Sequence, residues 1–448
     1  MPEPLPDELV KRVLDEVDVL AERIVASTAE IIRIPSVNPK YPGQDYDKVV
    51  GHEGEASALM AELYRLAGAE VEMVTVERGR DNACARIPGA GGGASLLFNG
   101  HVDVVPAEKL EAWARPPFAG LVEDDKVWGR GATDMKGGMI SHAYAAIALA
   151  RLGIRLKGDL VFSSVVGEEV GDHLCGTTAA LEAGYLADAA IVCEPSSFNE
   201  GAIPIVPVTP GLVSFTVTIE GKTAHSGLRG MTLHPTLDGE LLGVNAIDKF
   251  VIIYQALRNL EDEWAQTNRH PLFPPGYFGM LPGVIQGNPT GILAPLFLSD
   301  TVTVQYSSYH HPDRSNEEVM EEIRQTVARA AASDHWLRHH PPVVEFDMVW
   351  PSHRLSDDSA LLATVASAHE RAYEHGGIAA PAQTGGFFGV CDQTWIDAKG
   401  ITEGLVYGPG VGKTAHAEDE FVPIEQLVAA TKTYALTVLA HCGVADRG

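Results

Sequence analysis

Residues 95–103 read Ser95-Leu-Leu-Phe-Asn99-Gly100-His101-Val102-Asp103, a short apolar run that ends in imidazole and carboxylate. A run of this length, closed by turn residues, suits a strand buried on both faces, as in a parallel sheet. Its neighbours repeat the form: Leu160–Val166 leads into Gly167-Glu168-Glu169, and Ala189–Cys193 leads into Glu194-Pro195. Helical patterns at Ile140–Leu152 and Thr177–Ala183 fall between them. Strand and helix in alternation predict βαβ units and a mainly parallel sheet covered by helices, an α/β/α sandwich.

From about Val208 the texture changes. Leu212–Glu220 (LVSFTVTIE) alternates apolar and polar residues, as a strand with one wet face does. A helical stretch at Ile247–Gln266, a Pro- and Gly-rich passage over His270–Pro295, an alternating run at Thr301–Tyr306 and a helix at Asn316–Ala332 follow. This β-α-β-α order predicts a smaller α+β domain over residues 208–341, inserted into a catalytic domain made of 1–207 and 342–448. After Pro341-Pro342 the first texture resumes, with Val343–Met348 and Gly404–Tyr407 as strands and Ser359–Tyr373 as a helix.

The 448 residues carry 60 Asp and Glu against 33 Lys and Arg, a net charge of −27. That field repels phosphate backbones and anionic lipid, so the expected partner is a small molecule and not nucleic acid or membrane. No uncharged apolar run approaches the roughly 18 residues of a membrane span. The first twenty residues are studded with Asp, Glu and Lys and lack the apolar core of a signal peptide, which points to a cytoplasmic protein. Cys84, Cys175, Cys193, Cys391 and Cys442 form no Cys-x-x-Cys pair and read as buried free thiols.

The chemistry sits at the strand ends. His101 and Asp103, Glu168-Glu169 and Glu194 each follow an expected strand; Asp134 lies in GRGATDMKGG (129–138) before a helix; His416 follows Gly408-Pro-Gly410. In an open α/β sheet the loops beyond the carboxyl ends converge, so these groups meet. Carboxylates crowded together raise one another's pKa, and a cation relieves that penalty. Imidazole and carboxylate without thiolate suit zinc, cobalt or manganese, and two such ions sharing a carboxylate and a water would make that water nucleophilic near neutral pH. Glu123-Asp124-Asp125, with no strand expected before it, reads as solvated surface.

His101-x-Asp103, the segment around Asp134, Gly167-Glu168-Glu169, Glu194-Pro195, Gly221-Lys-Thr-Ala-His225-Ser and Gly408-Pro-Gly…His416-Ala-Glu-Asp-Glu420 resemble, in order, the motifs of a family of dinuclear metallohydrolases. That family includes acetylornithine deacetylase, succinyl-diaminopimelate desuccinylase, aminoacylase and carboxypeptidase G. The resemblance runs from about Ile31 to Glu425. It implies that His101 and Glu194 bind one metal, Glu169 and His416 the other, and Asp134 bridges them. Zinc is the first choice of ion, with cobalt or manganese as alternatives. It further implies that Asp103 orients His101 by hydrogen bonding its distal nitrogen. Glu168 would be the general base. The inserted domain would be a lid and dimerisation surface, with His225 stabilising the oxyanion in the partner subunit's site. His310, His311, His339 and His340 match no family motif and receive no role.

Departures from the family bear on substrate. Tyr309 stands where many members carry an Arg that holds a substrate carboxylate, and Gly287-Asn288-Pro289-Thr290-Gly291 stands where a Gly-Gly stretch followed by Asn is usual. Asn288 is the expected contact there, and Arg229 could supply a positive charge instead. Phe387-Phe388-Gly-Val-Cys391-Asp392 either lines an aromatic-tolerant pocket or belongs to the core. The reading is a homodimeric two-metal hydrolase that cleaves the amide C–N bond of a small N-acylated amino acid or related amine. The alternatives are a dipeptidase or carboxypeptidase, or a deformylase or aryl-amine aminohydrolase acting on an aromatic or heterocyclic compound. A binding protein without catalysis is disfavoured by the Glu168-Glu169 pair beside a complete ligand set.

Overall fold

Leu96–His101 is a strand with every residue buried. It pairs in parallel with Leu160–Val165 on one side and Ala189–Val192 on the other, and Gly404–Val406 continues the parallel core beside Ala189–Val192. Strands covered on both faces have no wet side to serve, hence their near-unbroken Leu, Val, Ile and Phe. The computed structural model describes residues 5–233, 241–287 and 294–446. Among these the large sheet has nine strands, in the order Glu70–Glu77, Arg80–Ile87, Leu160–Val165, Leu96–His101, Ala189–Val192, Gly404–Val406, Ile205–Thr209 and His353–Arg354, with Thr384–Gly386 also paired to Ile205–Thr209. The flanks are antiparallel. From Leu96–His101 the chain passes to one neighbouring strand and then crosses to the other. That reversal opens a crevice beyond the strands' carboxyl ends.

Helices Asp7–Ile32, His52–Leu66, Gly137–Arg151, Ala360–His375 and Ile424–Cys442 pack on one another, while Thr177–Glu182 and Gln393–Ala398 form a second group. None among the described residues is long and apolar enough to cross a membrane. All five cysteines are buried and unpaired.

The chain divides into a larger unit, Met1–Thr209 with His353–Gly448, and a smaller one, Pro210–Ser352. The smaller unit holds an antiparallel sheet in the order Met280–Gly287, Thr301–His310, Gly211–Glu220, Val343–Trp350. Alternation in Gly211–Glu220 sends Val213, Phe215, Val217 and Ile219 into a core with Ile253 and Leu257 of helix Ala246–Thr267 and Val319 and Ile323 of helix Asn316–Ser333. Two expectations are corrected here. The boundary expected at 341 lies at Ser352, because Val343–Trp350 pairs with Gly211–Glu220 and its Val344 and Phe346 pack on the small core. Pro341-Pro342 thus introduces an edge strand and does not close the unit. The Pro- and Gly-rich passage contains a strand, Met280–Gly287, which tolerates Pro282 at a shift of register.

Glu123-Asp124-Asp125 belongs to a hairpin, since Leu121–Glu123 pairs with Lys126–Trp128. Asp124 and Asp125 turn it at φ of 53° and 57°, a conformation that Asp tolerates better than most residues. The acidic run is accounted for by this turn and by Arg115, which pairs with Glu123 and Asp124.

One ion network anchors the loop that matters most. Arg80, fully buried, donates to Glu53 from Nε and Nη2 at 2.6 and 3.0 Å, and from Nη1 to Asp172 at 2.8 Å. Lys40 links Asp172 and Glu77 at 2.9 and 2.7 Å. Asp172 N donates in turn to Gly167 O at 2.8 Å, closing the turn that carries Glu168 and Glu169. Partial burial pushes the Glu77 carboxyl up, but hydrogen bonds from Lys40 and Tyr46, with the Arg80 charge, bring it down to about 2. A pKa below its unfolded value confers stability that is complete above the ordinary carboxylate range and is lost as pH falls through the folded value. Wild type should therefore exceed Glu77→Gln in urea denaturation at neutral pH, and the gap should close between about pH 5 and about pH 2. A gap independent of pH would show that the charge of Glu77 is not what stabilises the network.

Candidate metal centre

Each of the four parallel core strands delivers a polar group just past its carboxyl end. His101 ends its strand, and Glu168 and Glu169 open a single helical turn after Leu160–Val165. Glu194 follows Ala189–Val192, and His416 lies in the loop beyond Gly404–Val406. Asp134 sits in an irregular turn, Ala132–Lys136, before helix Gly137–Arg151, and its peptide bond to Met135 is cis. Two glycines permit these turns. Gly131 and Gly167 have φ of 85° and 93°, and a Cβ on Gly167 would lie 2.7 Å from Asp172 O.

The structure brings the expected residues of the larger unit together. Asp134 turns one oxygen to each imidazole, with Oδ1 3.2 Å from His101 Nε2 and Oδ2 3.3 Å from His416 Nε2. Glu194 Oε1 is 3.2 Å from His101 Nε2, and Glu169 Oε2 is 3.0 Å from His416 Nε2. Glu168 Oε2 lies 3.8 Å from His101 Nε2. His101 and Glu194 thus form one half, His416 and Glu169 the other, with Asp134 between.

Asp103 acts differently from expectation. His101 Nδ1 donates to the backbone carbonyl of Asp103 at 2.9 Å, while the carboxylate is 3.6 Å away. The carboxylate accepts instead from Gly167 N at 2.9 Å, Glu169 N at 3.2 Å and Asn38 Nδ2 at 2.7 Å. Its buried charge is spent on the turn that carries Glu168 and Glu169, because two main-chain amides there point inward with no other acceptor among their hydrogen bonds.

Burial disfavours charge on the carboxylates and imidazoles alike. It raises Glu168 well above the usual carboxylate range, with the His101 charge opposing and Glu194 and Glu169 adding. It lifts Glu194 to about 8, with Asp134 adding. Burial would lower His416, yet its hydrogen bonds to Asp134 and Glu169 carry it up to about 12. His101 likewise rises against burial, through the charge of Glu194 and the Asp134 carboxylate beside it. Asp134 is held low by both imidazoles against its own burial.

Every one of these shifts expresses a demand for positive charge inside the cluster. A backbone carbonyl only accepts, so the Nδ1 contact leaves the neutral His101 with its lone pair at Nε2. That atom and Glu169 Oε1 are buried without hydrogen-bond partners. An unprotonated nitrogen 3.2 Å from carboxylate oxygens is unfavourable unless a cation lies between them. His101, Asp134 and Glu169, and His101, Glu168 and Glu194, each offer ligand atoms within 4.8 Å of one another. The residues fit divalent ions. A third acidic group, Glu77, Asp172 and Cys175, has comparable spacing but is already met by Lys40 and Arg80.

In the smaller unit, His225 is exposed and its Nδ1 accepts from Gly227 N at 3.0 Å. Arg229 pairs with Asp248 at 2.6 Å, so its charge is already engaged. Tyr309 lies in strand Thr301–His310, its ring 5.8 Å from that of Tyr277. Asn288 lies outside the described residues. Phe387 and Cys391 belong to the core of the larger unit. Asp392, at the end of the same segment, is buried, accepts from Thr177 Oγ1 at 2.7 Å and is pushed up to about 6 by burial. Asn38 carries no sequence signal, and Glu420 closes a recognised motif without an assigned role, because what they bind is main chain or another buried polar group.

A parallel sheet that gathers two imidazoles and four carboxylates past its strand ends is the arrangement of a metal-dependent hydrolase. Residues 97–440 match the model of Peptidase family M20/M25/M40, and the chain belongs to that family. It is similar to an N-formyl-4-amino-5-aminomethyl-2-methylpyrimidine deformylase of Halalkalibacterium halodurans, 29% identical over 97% of this chain and 98% of the relative. The Bacillus subtilis deformylase of the same name is 30% identical over 87% and 89%. A succinyl-diaminopimelate desuccinylase of Xanthobacter autotrophicus is 28% identical over 92% and 97%. Among solved structures, human carnosine dipeptidase 1 shares the fold, with a TM-score of 0.70 at 16% identity over 99% of this chain and all of that one. The chain is a hydrolase of amide bonds.

The role of the Asp103 carboxylate is testable. In Asp103→Asn one oxygen becomes a donor that must face Gly167 N, or else Glu169 N and Asn38. Zinc titration of the apoprotein should show affinity reduced about 10- to 100-fold, as for other outer-sphere partners. Wild-type affinity would show that the carboxylate does not set the turn.

Proposed function

We propose that the chain removes a formyl group from a formamide carried by an aromatic heterocycle, giving formate and the free amine. The observation that carries this reading is the similarity, over nearly the whole of both chains, to a deformylase of an aminomethylpyrimidine. The composition of the smaller sheet supports it. Strands Gly211–Glu220, Met280–Gly287, Thr301–His310 and Val343–Trp350 contain no Lys or Arg. A substrate carboxylate calls for a guanidinium fork, and Tyr309 stands in the sequence where many family members carry that Arg.

In this reading His101 and Glu194 hold one divalent ion and His416 and Glu169 the other, Asp134 serving both, with zinc preferred over cobalt or manganese. Such ions, when bound, polarise the amide carbonyl and acidify water. Glu168, whose burial raises its proton affinity, takes the proton of the attacking water and delivers it to the nitrogen as the C–N bond breaks. His225 donates a hydrogen bond to the developing oxyanion in the site of a partner subunit.

Glu168→Gln should keep two ions per chain by elemental analysis and lose about 10²- to 10⁴-fold in kcat. In a panel of N-formyl aminopyrimidines, N-formyl, N-acetyl and N-succinyl amino acids and dipeptides, the aminopyrimidine formamides should turn over fastest. Turnover confined to succinyl amino acids would favour the chemistry of the desuccinylase relative and overturn the deformylase reading.

We further propose a homodimer through the smaller unit. Ile247, Val251 and Tyr254 recur at i, i+4 and i+7 on one helix face and are exposed, as are Leu281, Val284 and Ile285 on the edge strand Met280–Gly287 that packs beside that helix. An apolar helix face next to an unpaired strand edge is an interface or an aggregation hazard. Val251→Asp should convert a dimer to a monomer in light scattering at micromolar concentration. A wild-type monomer would overturn the proposal.

A further inference from the structure

Glu420 is a carboxylate with no solvent exposure and no place in the ligand set. Its Oε1 accepts from two successive main-chain amides, Thr133 N at 2.9 Å and Asp134 N at 3.1 Å, and its Oε2 accepts from Arg130 Nη1 at 2.6 Å. Its own carbonyl accepts from Gly129 N at 2.8 Å. Both carboxylate oxygens and the carbonyl of Glu420 are therefore tied to the segment 129–134. The ties continue on both sides, for Thr133 Oγ1 donates to Phe421 O and accepts from Val411 N. Phe421–Pro423 also pairs with Lys126–Trp128.

Two loops far apart in sequence are clamped together here, one carrying Asp134 and the other His416, four residues before Glu420. Between His416 and Glu420 the chain turns sharply, with His416 at φ 59° and Asp419 at φ 54°. Left-handed backbone at residues other than glycine costs roughly 1 kcal/mol or more each and persists only where the surroundings impose it. Asp419 is fixed by amides from Ala114 and Arg115 on its Oδ1, and Glu420 by the segment 129–134. His416 is thus presented from a short, held turn whose far end is bolted to the backbone of Asp134.

We propose that Glu420 is a positioning residue that fixes the spacing of Asp134 and His416 and thereby sets the affinity for the ion held by His416 and Glu169. This rests on the two-ion reading given above. The physical reason is tolerance. Ligand distances at such ions must hold to about 0.2 Å, and Asp134 would have to serve both halves of the centre at once. A loop free to drift by a few tenths of an ångström would serve one half of the centre only at the expense of the other. The His101–Glu194 half has its own supports in the strands Leu96–His101 and Ala189–Val192, which pair directly, so it does not need the clamp.

The test is zinc titration of the full-length apoprotein by calorimetry for wild type, Glu420→Gln, His416→Ala and the double variant. Wild type should bind two ions. Glu420→Gln turns an acceptor into a donor opposite Arg130 or the two amides. It should retain one ion at wild-type affinity and bind the other about 10- to 100-fold more weakly. In the His416→Ala background it should add nothing to the remaining ion, because the two changes act on the same half. Two ions at wild-type affinities in Glu420→Gln, or equal weakening of both, would overturn the proposal while leaving the two-ion reading intact. A single ion in wild type would overturn that reading and the proposal with it. Should Glu420→Gln fail to fold, Glu420→Asp carries the same test. It keeps the charge beside Arg130 but, one methylene shorter, cannot also reach Thr133 N and Asp134 N.

Discussion

The carboxylate of Asp134 stands between two imidazoles, and much of the larger unit exists to keep it there. Four carboxylates and two histidines share one space in which all but His416 are largely buried, and there an unmatched charge is expensive. The arrangement is tolerable only because positive charge enters it. In its absence, the histidines hold protons far more tightly than ordinary imidazoles do. Each further feature of the centre follows from that constraint. The groups must come close enough to share a cation, and nothing in their mutual repulsion will bring them there.

Closeness is therefore imposed by the backbone and by charges behind the centre. Asp103 draws in the amides of Gly167 and Glu169, Arg80 holds Asp172 at the end of the same turn, and Glu420 draws in the amides of Thr133 and Asp134. In each case a buried charge binds main chain or the charge next to it, and so fixes a loop that a side-chain contact alone would leave adjustable. The acidic groups thus fall into two populations with opposite tasks. One offers oxygens inward, and the other consumes the donors that would compete for them.

Much of this was legible in the sequence, and the rest was hidden for identifiable reasons. The four core strands announced themselves because parallel strands covered on both faces must be apolar throughout, and the centre announced itself because polar groups stand where those strands end. Val343–Trp350 reads from sequence as part of the larger unit yet pairs in the smaller one, because an edge strand with one exposed face reads the same beside either sheet. Met280–Gly287 was obscured by its prolines and glycines, which an edge position tolerates. The resemblance points to the Asp103 carboxylate as the partner of His101, whereas the Asp103 carbonyl makes the contact, since no spacing rule separates the two. Glu420 stood in a recognised motif but without a role, for a carboxylate that binds amides pairs with atoms every residue has.

The order of the strands has a consequence for how the chain comes into being. Gly404–Val406 lies in the sheet between Ala189–Val192 and Ile205–Thr209, although some two hundred residues separate it from them in sequence. During synthesis, the first part of the larger unit must wait for its central slot to be filled, with hydrogen-bonding edges open on both sides of the gap. The smaller unit is complete in sequence before that strand appears and can fold while the larger one waits. His416 arrives ten residues behind the closing strand, so the last of the clustered side chains reaches its place only when the sheet is whole, and a chain that ends early has no means of completing the cluster.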